Sequence, residues 1–132
     1  MYYAGNLNFA TKNDALKMVK AIQDEEINLD YLDYLSEADI CQNVCDECFI
    51  YIDGESYIED DLHKMADYAK NHNIEMCFSI EYHDDDCYGS YDFNDGQFES
   101  LNSIEYSIRN ANSEDLIIEL ERRGYSVSSL NN

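Results

Sequence analysis

A chain of 132 residues with a formal charge of −21 is long enough for one domain with a core of its own, and too acidic to hold DNA, RNA or an anionic membrane on its surface. Intrinsic disorder, the ordinary state of so charged a chain, is excluded by 45% hydrophobic residues, including twelve tyrosines and five phenylalanines. The charge is uneven: residues 24–61 hold fourteen Asp and Glu with no Lys or Arg, and residues 84–99 add six acids with no base.

Tyr3 to Phe9 reads as a short strand, and Thr11 with Asp14 as a capping-box-like helix start that turns Ala15, Leu16, Val19 and Ile22 inward. Residues 28–46 are expected to be helical in one or two pieces, with Asn28 or Ser36 as N-cap. Phe49 to Asp53 is a buried strand before Gly54. Leu62, Met65, Ala66 and Ala69 recur at i, i+3, i+4 and i+7, which predicts an amphipathic helix over 59–72 ending near Asn73. Met76, Phe78 and Ile80 alternate with polar residues, and the loop HDDDC followed by YGSYDF predicts a hairpin. Asn94-Asp95-Gly96 is a turn, after which Gln97 to Ile108 returns as one or two strands. Ser113 caps a last helix carrying Leu116, Ile117 and Leu120 to a stop at Gly124, and Tyr125 to Leu130 closes as an edge strand. The expectation is a single α+β domain over 1–132, mainly antiparallel sheet in a ferredoxin-like variant, with helices packed on one face.

Five cysteines are an odd number, and MYYAGNLNF lacks the basic and apolar regions of a signal peptide, so reduced thiols in a cytoplasmic protein are expected. The longest apolar run, Cys48 to Ile52, is far short of a membrane span. Cys41, Cys45 and Cys48 have the C-x3-C-x2-C spacing with which radical S-adenosylmethionine enzymes hold an iron–sulfur cluster, but Glu47 stands where an aromatic residue usually precedes the third cysteine, and the chain is short for that barrel. On a helix the three fall at i, i+4 and i+7, the period of a core-facing stripe, so packing is the preferred reading and no metal or other cofactor is expected. Zinc, with His63, His83, Cys77 or Cys87 as a fourth ligand, is the alternative.

Reading Asp84 as the first ligand of an EF-hand places Asp86 and Gly89 correctly, but Tyr88 falls at the fifth position and Asp95 at the twelfth, where a bidentate Glu belongs. A solvated hairpin tip is the simpler reading. The three histidines, His63, His72 and His83, join no catalytic constellation, and P-loop, G-x-S-x-G and H-E-x-x-H motifs are absent. The chain reads as a binding protein and not as an enzyme.

The acids then carry the function. Glu26, Asp30, Asp33 and Glu37 would form one stripe on a continuous helix, at a cost on the order of 1 kcal/mol from like-charge neighbours. Glu59, Asp60 and Asp61, then Asp84, Asp85 and Asp86, continue the charge, and Tyr31, Tyr34 and Tyr88 supply anchors. Carboxylates in rows present charge somewhat as a phosphate backbone does.

A small, strongly acidic, proline-free α+β chain of this kind resembles the phage-encoded inhibitors of bacterial defence, the anti-CRISPR and antirestriction proteins, several of which act as DNA mimics. FSIEYHDDDCYGSYDFNDGQ is similar to the terminal sheet of phage and plasmid proteins with a YubB-type ferredoxin-like fold. The first resemblance implies an inhibitor whose partner is a basic nucleic-acid-binding protein such as a CRISPR effector, met in the cytoplasm of a bacterial host without direct contact to nucleic acid or membrane. The alternatives are an immunity protein that neutralises a basic nuclease toxin and a cysteine-based metal-binding regulator.

Overall fold

The computed structural model describes residues 1–43, 46–84 and 88–101. Their order is β1 (Tyr2–Phe9), α1 (Lys12–Gln23), a 3-10 turn (Glu37–Asp39), β2 (Cys41–Gln42), β3 (Cys48–Gly54), α2 (Glu59–Asn71), β4 (Met76–His83), β5 (Tyr88–Asn94) and β6 (Gln97–Leu101). Cys45, Asp85, Asp86, Cys87, the end of the expected return beyond Leu101, the Ser113 helix and the Tyr125 to Leu130 strand lie outside the described residues.

A strand of alternating polarity buries one face only, and here the buried faces agree across the sheet. β1 buries Tyr3, Leu7 and Phe9, β3 buries Cys48, Ile50 and Ile52, and β4 buries Met76, Phe78 and Ile80. The strands form one antiparallel sheet in the order β2-β3-β1-β4-β5-β6. Since β1 lies between β3 and β4, the connection through α2 must cross it; the connection from β1 through α1 to β2 likewise passes β3. Two interleaved split β-α-β units result. Met18, Val19 and Ile22 of α1 and Leu62, Met65 and Ala66 of α2 enter the same core as the buried strand residues, so both helices cover one face. The opposite face leaves Ala4, Asn6, Tyr51, Asp53, Cys77, Ser79 and Glu81 exposed.

Local chemistry sets the ends of these elements. Thr11 caps α1, its Oγ1 accepting the Asp14 N–H at 3.1 Å and donating to the Asp14 carboxylate at 2.9 Å. The inner face of α1 is turned slightly from expectation: Met18 and Ala21 are buried and Leu16 only half-buried. Asn73, just past α2, takes the left-handed conformation (φ 54°) that asparagine tolerates at a helix stop. Asp95 (φ 51°) and Gly96 (φ 76°) make the two-residue turn that joins β5 to β6, as the Asn-Asp-Gly signal predicts. No helix among the described residues is long and apolar enough to cross a membrane.

One expectation fails. The described residues of 28–46 do not form an α-helix: among them only Glu37–Asp39 makes a 3-10 turn, and Cys41–Gln42 is extended. Leu29, Leu32 and Leu35, three residues apart, would suit a helical face, yet they are buried, with Ile27, from a loop whose backbone amides are satisfied elsewhere. Ser36 does initiate the short turn, its N–H donating to Asp39 Oδ2 at 2.8 Å. The amides of residues 30–32 are taken by an acceptor far along the chain.

Candidate protein-interaction site

That acceptor is Asp61. Glu59, Asp60 and Asp61 occupy the first turn of α2, where the helix dipole favours negative charge. The Asp61 side chain turns inward and is 1% exposed. Its Oδ1 accepts the Asp30 N–H at 2.9 Å, and its Oδ2 accepts the N–H groups of Tyr31 at 2.7 Å and Leu32 at 2.9 Å. Lys64 Nζ donates to the Asn28 carbonyl at 2.8 Å, and Gln23 Nε2 to the Leu35 carbonyl at 2.6 Å. The loop after α1 is thereby fixed on the start of α2, with its leucines buried and the intervening Asp30, Tyr31, Asp33 and Tyr34 exposed.

Antiparallel register brings other residues to the same end of the molecule. Tyr3 stands opposite Gly54, Tyr2 opposite His83, and His83 opposite Tyr88, so the start of β1, the ends of β3 and β4 and the start of β5 coincide. Tyr2 stacks on His83 with centroids 5.1 Å apart, and the Tyr57 hydroxyl donates to Asp84 at 3.3 Å. Here the surface forms a concavity of about 580 Å³ whose lining includes Tyr2, Ala4, Tyr51, Asp53, Gly54, Glu55, Glu81, His83 and Tyr88. Gly54 needs its lack of a side chain, because a Cβ there would stand 2.7 Å from the Tyr3 hydroxyl.

Among the described residues the exposed large hydrophobic side chains are Tyr2, Tyr31, Tyr34, Tyr51, Tyr57 and Tyr88, all around this end of the sheet or on the loop docked there. The local field is negative. Burial, then Asp39 and Asp53, raises the pKa of Tyr34; burial, then Tyr34, Asp53 and Asp61, raises that of Tyr3.

The expected site residues divide. Asp30, Asp33, Tyr31, Tyr34, Glu59, Asp60, Asp84 and Tyr88 gather at this end. Asp61 is a correction: it is buried and holds the loop, so it presents no charge to a partner. The stripe through Glu26, Asp30, Asp33 and Glu37 is a second correction, since the helix it required is absent. Glu26 instead accepts the hydroxyl of Tyr68, in the later part of α2, and Glu37 sits on the 3-10 turn. Tyr2 and Glu81 were outside the expected set; the outward phase of their strands is the sequence signal that marks them.

The cysteine stripe also requires correction, because Cys41 lies in a strand. Cys41 pairs with Phe49 and Gln42 with Cys48, so Cys41 and Cys48 fall on opposite faces of the sheet. Cys48 is buried in the core, as a packing cysteine should be, and Cys41 is exposed. Among the described residues no three of His, Cys, Asp or Glu converge as a metal ion requires. Compared with protein-family models, curated proteins and solved structures, the chain matches none.

Proposed function

We propose that the protein is an inhibitor that acts by binding: an acidic mimic of DNA, of the anti-CRISPR kind, that occupies the basic nucleic-acid groove of a CRISPR effector or a related defence nuclease in a bacterial cytoplasm. One observation carries the reading, the coincidence of exposed tyrosines with a dense group of carboxylates at one end of the molecule. Solvated acids need no aromatic company, whereas protein interfaces draw their binding energy from aromatic anchors and use charge for steering. Asp30, Asp33, Glu59, Asp60 and Asp84 would face basic residues that otherwise hold phosphates, with Tyr31 and Tyr34 as anchors. The β-α-β-β-α-β order with strands arranged β4-β1-β3-β2 supports a ferredoxin-like reading of the first 83 residues, extended by β5 and β6.

The test is inhibition of target-DNA cleavage by purified defence nucleases, with two variants of equal net charge. Asp30, Asp33 and Asp60 to Lys is expected to abolish inhibition, while Asp24, Glu25 and Asp67 to Lys, none of them among the proposed contact residues, is expected to leave most of it. Equal loss in both would reduce the effect to net charge, and loss in neither would remove the site.

A further inference from the structure

Successive backbone N–H groups that converge on one point form a concavity for an anion, whatever supplies it. In the loop after α1 the N–H groups of Asp30, Tyr31 and Leu32 converge in this way on a single carboxylate, at 2.9, 2.7 and 2.9 Å. The three residues belong to no helix or strand, so no repeating ladder orients them. The carboxylate is that of Asp61, which reaches the loop from 29 to 31 residues along the chain and is 1% exposed. Lys64, in the next turn of α2, donates from Nζ to the Asn28 carbonyl at 2.8 Å. In a helix over this segment the Leu32 N–H would donate to that same Asn28 carbonyl. Both ends of the bond are instead engaged by side chains of α2, the donor by Asp61 and the acceptor by Lys64.

We infer that the backbone from Asp30 to Leu32 is a carboxylate-binding nest with Asp61 as its resident ligand, and that this latch, more than the loop's own sequence, sets the loop's conformation. Three donors without a proton to accept call for an acceptor-only group, and an ionised carboxylate is the side chain that offers two oxygens and no donor. Hydrogen bonds to such an acceptor are roughly twice as strong as neutral ones, and exclusion of water from the carboxylate strengthens them further. The loop's sequence is less decisive, since Leu29, Leu32 and Leu35 at three-residue spacing suit a helix as well. Asp30, Tyr31, Asp33 and Tyr34 are exposed on the latched segment, so the latch fixes where they stand. The chemistry of the nest is independent of the proposed partner.

The probe is formate, titrated at constant ionic strength into labelled Asp61→Ala protein and followed by NMR, with formamide as the neutral analogue of the same shape. Saturable shifts of the amides of Asp30, Tyr31 and Leu32, with a Kd on the order of millimolar or weaker, are expected for formate alone. Exchange of those amides should slow toward the parent's rate, and the melting temperature should rise with formate concentration as ligand linkage requires. The parent, whose nest is filled, should respond to neither compound. If Asp61→Ala does not fold unaided, formate should restore folding where formamide does not. Lys64→Met, which removes the ammonium and keeps the carboxylate, should leave the three amides protected. An equal response to formate and formamide, an equal response in the parent, or no response in the variant would overturn the nest. Loss of protection in Lys64→Met as great as in Asp61→Ala would overturn the carboxylate as the latch.

Discussion

Asp61 is the residue whose replacement distinguishes most sharply between structural and surface roles for the acids. Its carboxylate takes three backbone N–H groups at 2.7–2.9 Å while 1% exposed. Hydrogen bonds to a charged acceptor contribute about 1.5–3 kcal/mol each, but water can reach the part-buried amides of Asp30 and Tyr31 once the carboxylate is gone, leaving the buried Leu32 N–H as the unrelieved loss. Asp61→Ala should therefore cost about 3–4 kcal/mol, a large part of the 5–15 kcal/mol typical of a domain. Asp61→Asn keeps the shape but turns an amide donor toward backbone donors, and should cost about 2 kcal/mol. Urea unfolding followed by circular dichroism reads both, with exposed Asp60→Asn as a control expected within about 0.5 kcal/mol of the parent. Amide exchange at residues 30–32 should quicken in the Asp61 variants. If Asp61→Asn unfolds at the parent's urea midpoint with unchanged exchange, the loop is not held as described and Asp61 returns to the candidates for partner contact.

Three further outcomes follow from particular strained, unpaired or titrating groups. Glu25 occupies the left-handed region (φ 58°) after α1, so Glu25→Gly should stabilise by about 1 kcal/mol in the same assay. Ser90 is fully buried and its hydroxyl finds no partner among the described residues; Ser90→Ala should raise the melting temperature by a few degrees, and a lower one would contradict an unsatisfied hydroxyl. Tyr3 and Tyr34 have folded-state pKa values raised above the ordinary 10.0, chiefly by burial, so the folded chain holds those protons more tightly than the unfolded chain. Their contribution is complete below pH 10 and lost as pH rises through the raised values, so urea midpoints should fall in alkali above about pH 10, and less steeply in Tyr34→Phe. Ultraviolet titration should show late-ionising phenols that include Tyr3, Tyr34 and Tyr68, the last held protonated chiefly by its hydrogen bond to Glu26.

The parts of this fold that could be read from sequence are those fixed by local periodicity. The alternation of Met76, Phe78 and Ile80, the i, i+3, i+4, i+7 set of α2 and the Asn-Asp-Gly turn each specify their element within a few residues. The segment from Ile27 to Leu35 could not be read this way, because its conformation is set by a carboxylate some thirty residues away. A pattern of acids in that segment suited a helical stripe as well as a loop, and only the position of Asp61 decides between them. The site was half legible for the same reason. Asp30, Asp33 and their tyrosines are exposed wherever the loop lies, but the grouping of Tyr2, Tyr51, Asp53 and Glu81 around Ala4 exists only through the register of β1 with both neighbours.

The central claim, that the acidic and tyrosine-rich end takes the place of nucleic acid on a basic partner, is tested most directly by affinity capture from a defence-carrying bacterial host. Captured proteins are identified by mass spectrometry with and without competitor DNA, at two salt concentrations, using the parent chain and the Asp30, Asp33 and Asp60 to Lys variant. A nucleic-acid-binding defence protein that competitor DNA displaces, more readily at high salt, and that the variant fails to capture is the expected result. Capture only of proteins indifferent to DNA, or equal capture by the variant, would contradict the account.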